Sequence, residues 1–218
     1  MIAQSFKDYD LGPVCVFASG VSDSTEVDTT RYSKEYELLK KTITENKDNL
    51  FIYFSTLSVL NTEHTDYIKH KLHIESYIQR ATNNFLILRL PNIVGVTKSK
   101  NQLLPFIYNS LLKKELIIVK KDTYRDLIDV EDLPKITRLL IEKKINGICN
   151  ISLNNKIKVV DIVNLLIELN NISEYSIEIS DGNQNITYES NIEEYYDELS
   201  VMNVIMDSNK IIEKYYSK

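Results

Sequence analysis

Continuous apolar runs, not alternating ones, dominate the first part of the chain. Three of them occupy residues 14–18, 50–54 and 85–90. Runs of this length bounded by turn residues are typical of parallel strands that are buried on both faces. The first ends at Ser19-Gly20 and the third before Pro91, which cannot donate a ladder hydrogen bond. The pattern therefore predicts three neighbouring parallel strands.

Apolar residues at helical spacing separate these strands. Residues 31–46 and 66–81 place apolar side chains every three or four positions, which predicts amphipathic helices. Strands that alternate with helices of this length indicate right-handed βαβ units. Further along, the pattern predicts helices over residues 103–113, 132–143, 159–169 and 208–216, and short strands over 116–119 and 147–151. From residue 176 onward the chain is acidic and rich in tyrosine.

The amino-acid composition argues against several classes of protein. The 218 residues are 43% hydrophobic and 26% charged, as in ordinary globular proteins, and the net charge of −5 argues against a nucleic-acid-binding surface. No apolar run approaches the length of a membrane span, and no signal peptide is visible. Cys15 and Cys149 lie in apolar runs and are interpreted as buried free thiols. We therefore expect a cytoplasmic protein without a membrane association.

The candidate chemistry centres on Tyr67 and Lys71, which lie four residues apart and so share one face of the predicted helix. A free tyrosine has a pKa of about 10, which is too high for a general base at neutral pH. A nearby ammonium stabilises the phenolate and is expected to lower that pKa. By itself the pattern is typical of surface residues, but here a strand ending at Ser55-Thr56 precedes the helix and places a hydroxyl at the edge where α/β folds bind ligands.

Three histidines, His64, His70 and His73, lie close to this pair. Two of them fall on the predicted Tyr67 helix, without the cysteine or carboxylate set that accompanies histidine in metal sites. We interpret them as surface residues and predict no metal.

Several segments in order carry a resemblance to a known family. Residues 51–56 (FIYFST) resemble a strand that ends in a catalytic hydroxyl, and residues 88–95 (LRLPNIVG) and 124–132 (YRDLIDVED) resemble two further family segments. Together with Tyr67 and Lys71, they identify the chain as similar to the extended short-chain dehydrogenase/reductase family, in its NAD-dependent epimerase/dehydratase, nucleotide-sugar-modifying branch. The resemblance extends from about Val14 to Leu169.

The resemblance implies roles for particular residues. Tyr67 would be the general acid/base, Lys71 would tune Tyr67 and hold the cofactor ribose, and Thr56 would contact the reacting oxygen of the substrate. The cofactor would be NAD or NADP, bound by Ala18, Ser19, Gly20, Lys71 and Pro91. A nucleotide-sugar substrate would be bound by Asn92 and Arg125. Two alternatives stay open from the residues alone, since Asn92 could cap a turn and Arg125 with Asp126 could form an exposed ion pair.

The resemblance also implies a fold with a missing part. The expected α/β fold is a Rossmann-like parallel sheet that lacks the first strands and the glycine loop, with a small C-terminal substrate lobe. Residues 1–100 would form the truncated Rossmann-like core, and residues 101–218 would complete that core and form the C-terminal substrate-binding lobe. The fingerprint G-x-x-G-x-x-G does not occur, and none of the five glycines has its spacing. Roughly 50–60 residues of two βαβ steps would be absent, residues 1–6 would be the remains of the first helix, and the strand at residue 14 would become a sheet edge.

Two functions follow from these observations. The first is an NAD(P)-dependent epimerase or reductase of nucleotide sugars, in the synthesis of surface-polysaccharide sugars. Dehydration is disfavoured because Leu57-Ser58 stands where dehydratases of the branch carry an acidic pair. The alternative is a degenerate, non-catalytic member that acts as a binding or partner subunit. The resemblance also implies a homodimer formed by the helices at 31–46 and 66–81, with the following residues near the interface: Tyr36, Leu39, Ile74 and Ile78.

Overall fold

A computed structural model describes residues 1–62, 64–184 and 188–217. Its helices are α1 (Ile2–Ser5), α2 (Thr29–Glu45), α3 (Asp66–Ala81), α4 (Leu103–Leu112), α5 (Leu133–Glu142), α6 (Val159–Leu169), α7 (Tyr196–Val201) and α8 (Ser208–Tyr216). Its strands are β1 (Val14–Phe17), β2 (Leu50–Thr56), β3 (Phe85–Leu90), β4 (Asn92–Val94), β5 (Leu116–Arg125), β6 (Leu127–Asp129), β7 (Gly147–Asn150), β8 (Ile157–Lys158) and β9 (Ser176–Gln184).

The central sheet has four parallel strands in the order β1-β2-β3-β7. Val14 is in register with Leu50, and Phe51 with Phe85. The three strands predicted from the apolar runs are therefore adjacent and parallel, as expected. β2 and β3 are covered on both faces, which is why both read as unbroken apolar runs.

One face of this sheet is covered by α2 and α3, which begin at side-chain caps. Asp28 accepts a hydrogen bond from the amide of Thr30, and Thr65 accepts one from the amide of Ile68. From these helices Leu39, Ile74 and Ile78 are fully buried in a cluster with Phe51, Tyr53 and Ile87 of the sheet.

This burial corrects the predicted interface. Leu39, Ile74 and Ile78 retain no exposed surface within a single chain, so they cannot contact a second copy. Their periodicity marks the face that packs on the sheet, because burial inside the chain and burial between chains give the same spacing of apolar residues. Tyr36 is partly exposed, and Leu38 of α2 is 46% exposed. Dimerisation through the outer faces of these helices stays a prediction.

The other face of the sheet is covered by α5, by α7 and by the N-terminal segment. α1 and the following Phe6 pack there, with the Phe6 and Phe54 ring centroids 5.4 Å apart. The α5 face contributes buried residues such as Ile136 and Leu140 to the same cluster. The segment expected to be a remnant of the first helix thus contains a four-residue helix without buried residues, followed by Phe6, which is part of the core.

A second sheet has the order β8-β5-β9, and β4 and β6 form a separate parallel pair. β5 is ten residues long and not the predicted four. Its second half is polar, with Lys120 and Lys121 exposed and Asp122 partly buried, so no apolar run marks it in the sequence. The parallel partner β9 has no apolar run, so the sequence did not indicate it.

No helix in the described part of the chain is long and apolar enough to cross a membrane. Both cysteines are free thiols. Cys149 is buried as expected, whereas Cys15 is only partly buried because it lies on the edge strand β1.

Candidate functional site

A cavity of about 530 Å³ opens at the carboxyl ends of β1, β2 and β3. This edge of a parallel sheet is where α/β folds place ligands. The residues predicted from sequence that line the cavity are Ala18, Gly20, Thr56, Tyr67, Lys71, Pro91, Asn92 and Arg125. Ser19 is the exception, because it is exposed and lines a separate groove of about 380 Å³ beside the N-terminal segment. The fold therefore brings together residues from five separate segments of the chain.

The hydroxyl and the phenol reach the cavity from consecutive elements. Thr56 is the last residue of β2, and its hydroxyl accepts a hydrogen bond from the amide of Ser58, 3.2 Å away, as the chain turns out of the strand. Tyr67 lies in the first turn of α3 and Lys71 one turn later, so both side chains project from one face of the helix. Tyr67 is only 9% exposed.

The protonation of Tyr67 differs from the expectation. Its pKa is raised well above the ordinary value, first by burial and then by the negative charge of Glu35. The Lys71 ammonium lies 5.8 Å from the centroid of the Tyr67 ring and makes its hydrogen bonds elsewhere. The expected lowering of the Tyr67 pKa is therefore absent in this arrangement, because the charge of Lys71 is compensated by Glu35.

Lys71 belongs to a buried polar cluster. Its Nζ donates to the phenol oxygen of Tyr53 at 2.8 Å and to Oε1 of Glu35 at 3.3 Å, and the Tyr53 hydroxyl donates to the same Glu35 oxygen at 2.9 Å. Burial would raise the pKa of Glu35, but the hydrogen bond from His70 and the charge of Lys71 outweigh it and lower the pKa to about 2. Glu35 is therefore a carboxylate at neutral pH.

The interpretation of all three histidines as surface residues is wrong for His70. This residue is 9% exposed, and its Nε2 lies 3.0 Å from Oε2 of Glu35. Its ring also stacks on Tyr32, with centroids 4.5 Å apart. Helical spacing places His70 on the inner face of α3, next to Lys71, where a ring nitrogen meets the carboxylate. Among the described residues, no group of three or more His, Cys, Asp or Glu side chains could hold a metal ion.

Asn92 of β4 and Arg125, the last residue of β5, line the cavity. Asn92 is in β4 and donates its backbone N–H to the carbonyl of Asp126 at 3.1 Å, so it does not cap a turn. Arg125 is half-buried, and one guanidinium nitrogen lies 2.8 Å from the Tyr124 carbonyl. Asp126 is 6% exposed and accepts a hydrogen bond from Ser152. The alternative of an exposed Arg125–Asp126 pair is therefore wrong.

Sequence reasoning missed the two buried carboxylates behind the site. Glu35 occupies the position four residues before Leu39 on the buried stripe of α2. Glu75 lies beside Ile74 on α3 and accepts from the Arg89 guanidinium at 2.6 Å and from the Ser55 hydroxyl at 2.5 Å. A signal was present in both cases, since a charged residue on an apolar stripe requires a buried partner. The partners themselves come from other elements, and spacing does not identify them.

Comparisons with known proteins place this geometry in context. Residues 51–152 match the model of the NAD dependent epimerase/dehydratase family. No curated protein sequence matches the chain. Solved structures do match, among them a UDP-N-acetylglucosamine 4-epimerase from Methanobrevibacter ruminantium, with 16% identity and a TM-score of 0.60 over 97% of this chain and 79% of that one.

Two further structures widen the comparison. The UDP-glucose 4-epimerase of Thermus thermophilus matches at 10% identity, with a TM-score of 0.66 over 99% of this chain and 80% of that one. The dTDP-4-dehydrorhamnose reductase of Yersinia enterocolitica matches at 18% identity, with a TM-score of 0.59 over 83% of this chain and 79% of that one. At these identities the likeness shows the fold, and it confirms the predicted α/β class with a Rossmann-like parallel sheet.

Proposed function

We propose that the protein is an NAD(P)-dependent epimerase or reductase of a nucleotide sugar, since residues 51–152 match the model of the NAD dependent epimerase/dehydratase family. The observation that carries the proposal is that Thr56, Tyr67 and Lys71 line one cavity at the carboxyl ends of parallel strands. A hydroxyl, a phenol and an ammonium converge there from β2 and α3.

In this proposal Tyr67 exchanges a proton with the sugar oxygen and Thr56 holds that oxygen by a hydrogen bond. A bound nicotinamide dinucleotide supplies or accepts the hydride. Burial raises the pKa of Tyr67, so its phenol is protonated at neutral pH. In the reductive direction, from a keto sugar to an alcohol, this phenol would donate its proton to the sugar oxygen. Dehydration is not proposed, because Leu57 and not an acidic residue follows Thr56.

The substrate's diphosphate would lie toward Asn92 and Arg125. Arg125 lines the cavity, and a guanidinium suits phosphate because its N–H groups form a planar fork. Asn92 of β4 can donate a hydrogen bond to the same diphosphate through its side-chain amide.

The cofactor fits the site only in part. Ala18, Gly20, Lys71 and Pro91 line the cavity and would hold the nicotinamide riboside half. A pyrophosphate is ordinarily held by the amides of a glycine-rich turn at a helix N-terminus. The sequence carries no G-x-x-G-x-x-G, so the diphosphate and adenosine half has no such cradle in this chain.

Calorimetric titration of NADH against the protein tests the binding part of the proposal. Hydrogen bonds to charged groups contribute roughly 1.5–3 kcal/mol each, and about 1.4 kcal/mol is tenfold in affinity. Losing two or three of them converts micromolar binding to a Kd in roughly the millimolar range. Reduced nicotinamide mononucleotide should bind within about tenfold of NADH, because the half it lacks has no cradle. Low-micromolar binding of NADH with no binding of the mononucleotide would contradict this assignment.

Turnover of nucleotide keto sugars tests the catalytic part. Tyr67→Phe removes the proton donor and should lower the rate by two to four orders of magnitude, about the contribution of general acid catalysis. Tyr77→Phe is the matched control, since Tyr77 lies on the same helix but packs against Tyr36 outside the cavity. Equal rates for the two variants would remove Tyr67 from the mechanism.

A non-catalytic partner subunit is the second candidate. The missing glycine-rich turn favours it, because that loss removes cofactor affinity while leaving the fold intact. Measurement of turnover distinguishes the two candidate functions. An enzyme shows turnover that Tyr67→Phe abolishes at saturating cofactor, whereas a partner subunit shows none at any cofactor concentration.

The setting that we propose is the cytoplasm, in the synthesis of sugars for a surface polysaccharide. The exposed outer faces of α2 and α3, which include Leu38, are the surfaces that we propose for a homodimer. Light scattering at micromolar concentration tests this assembly, and a monomer there would contradict it.

A further inference from the structure

Glu35 is the point at which four elements of the structure meet behind the cavity. Its Oε1 accepts hydrogen bonds from the Tyr53 hydroxyl of β2 and from Lys71 of α3, and its Oε2 accepts one from the backbone N–H of Val21 at 2.7 Å. His70 of α3 lies 3.0 Å from the same Oε2. Glu35 itself is on α2 and is 3% exposed. Every lone-pair region of this carboxylate thus has a neighbour.

Lys71 is held by the same contacts. An ammonium has three N–H donors, and two of them go to Tyr53 and Glu35. One remains for a ligand in the cavity that Lys71 lines. A side chain at position 20 would enter the cluster, since a Cβ on Gly20 would lie 2.8 Å from Oε1 of Glu35 and 2.9 Å from Nζ of Lys71. The turn after β1 is therefore fitted closely around the two charges.

A buried ammonium requires a counter-ion. Lys71 is 2% exposed, and burial favours loss of its proton, while Glu35 and the more distant Glu75 oppose that loss. We propose that Glu35 is a positioning residue that keeps Lys71 charged and fixed at the cavity wall. Without this carboxylate, Lys71 would be a neutral or displaced amine, and the cavity would lose a donor for a ribose or sugar hydroxyl.

This role for Glu35 rests on the proposed function, in which Lys71 faces the ligand. The ionisable groups that act on Lys71 are Glu35 and Glu75, and its ammonium also lies over the rings of Tyr53 and Tyr67. Glu75 already pairs with the Arg89 guanidinium. Glu35 is therefore the carboxylate whose removal changes the charge balance at Lys71 most.

Carbon-13 NMR of the lysine ε-carbons measures the proposal without cofactor or substrate. Lys71→Arg assigns the Lys71 signal. In Glu35→Gln, which keeps the shape of the side chain, the titration midpoint of Lys71 should fall by at least one pH unit, a tenfold larger acid dissociation constant. Glu37→Gln is the matched control, because Glu37 lies on the same helix with its side chain 68% exposed. An unchanged Lys71 midpoint in folded Glu35→Gln would overturn the proposal.

A second variant covers the case in which Glu35→Gln does not fold. Glu35→Asp keeps the charge but shortens the side chain, so Lys71 should stay charged while its ammonium protons exchange at least tenfold faster in nitrogen-15 spectra. Ammonium exchange as slow in Glu35→Asp as in the unchanged protein would show that Glu35 does not fix Lys71. Because these measurements need no turnover, they can succeed even if the chain has no enzymatic activity.

Discussion

The central sheet and the β8-β5-β9 sheet, called the second sheet below, contain ion pairs of opposite kinds. In the central sheet, charges lie in closed networks, such as Arg89 with Glu75, whose side chains are 15% and 2% exposed. In the second sheet, the ion pair of Lys158 with Asp122 stays at the surface, with side chains 36% and 47% exposed. The second sheet even leaves apolar residues in solvent, with Ile118 of β5 62% exposed. An ion pair of a basic and an acidic side chain is therefore expected to contribute differently to the free energy of unfolding in the two sheets.

The difference follows from solvation. Two charges near the surface gain little from pairing, because water screens them and solvates each one separately. A charge that folding has already removed from water depends on its partner, and loss of that partner leaves an uncompensated buried charge. Lys71 of the candidate site belongs to such a closed network, because its ammonium is hydrogen-bonded to Glu35 and Tyr53.

The largest expected effect comes from breaking one pair in each sheet. Arg89→Met should lower the free energy of unfolding by about 3–5 kcal/mol, because Glu75 stays buried without its cation. Lys158→Met should lower it far less, because its pair with Asp122 is exposed to water, which screens the two charges. Urea unfolding of the two variants measures both values. Equal losses would mean that the two sheets do not differ in the way described.

The contrast between the sheets also explains what the sequence could predict. β2 and β3 are buried on both faces, so residues 50–54 and 85–90 read as unbroken apolar runs and were placed correctly. β5 has one exposed face, and its second half reads as loop. β9 is acidic and was missed. Its pairing with β5 depends on contacts across about 60 positions of sequence, which local periodicity does not contain.

In the candidate site, too, local sequence spacing predicts some residues and not others. The fixed spacing of Tyr67 and Lys71 on a helix was readable, and so was the strand that ends at Thr56. What was not readable is the partner of Lys71, since Glu35 comes from another helix, 36 positions away. The sequence pattern therefore located the phenol and the ammonium, but the electrostatic link predicted between them was wrong, because a third residue compensates the ammonium.

The free energy of unfolding should depend on pH through the buried carboxylate of Glu35. The pKa of Glu35 falls from an ordinary 4.5 to about 2 in the folded chain, so its stabilising contribution is complete above pH 4.5 and is lost as the pH falls toward about 2. A shift of this size corresponds to about 3 kcal/mol. Urea midpoints measured from pH 6 down to pH 3 should therefore decline less steeply in Glu35→Gln than in Glu37→Gln, which keeps the buried carboxylate. Parallel declines would show that Glu35 is not ionised preferentially in the folded state.

The smallest expected effect concerns apolar packing in the two sheets. Ile87 of β3 is fully buried, and Ile→Val there should lower the free energy of unfolding by roughly 0.5–1.5 kcal/mol through lost contacts and a small cavity. Ile118 of β5 is 62% exposed, so the same change there should stay within about 0.5 kcal/mol. Both are β-branched residues in parallel pairings, so strand propensity is matched and only burial differs. Chemical unfolding of both variants under one condition gives the difference directly. A loss at Ile118 as large as that at Ile87 would mean that the exposed face of β5 is covered in solution, for instance by a second copy of the chain.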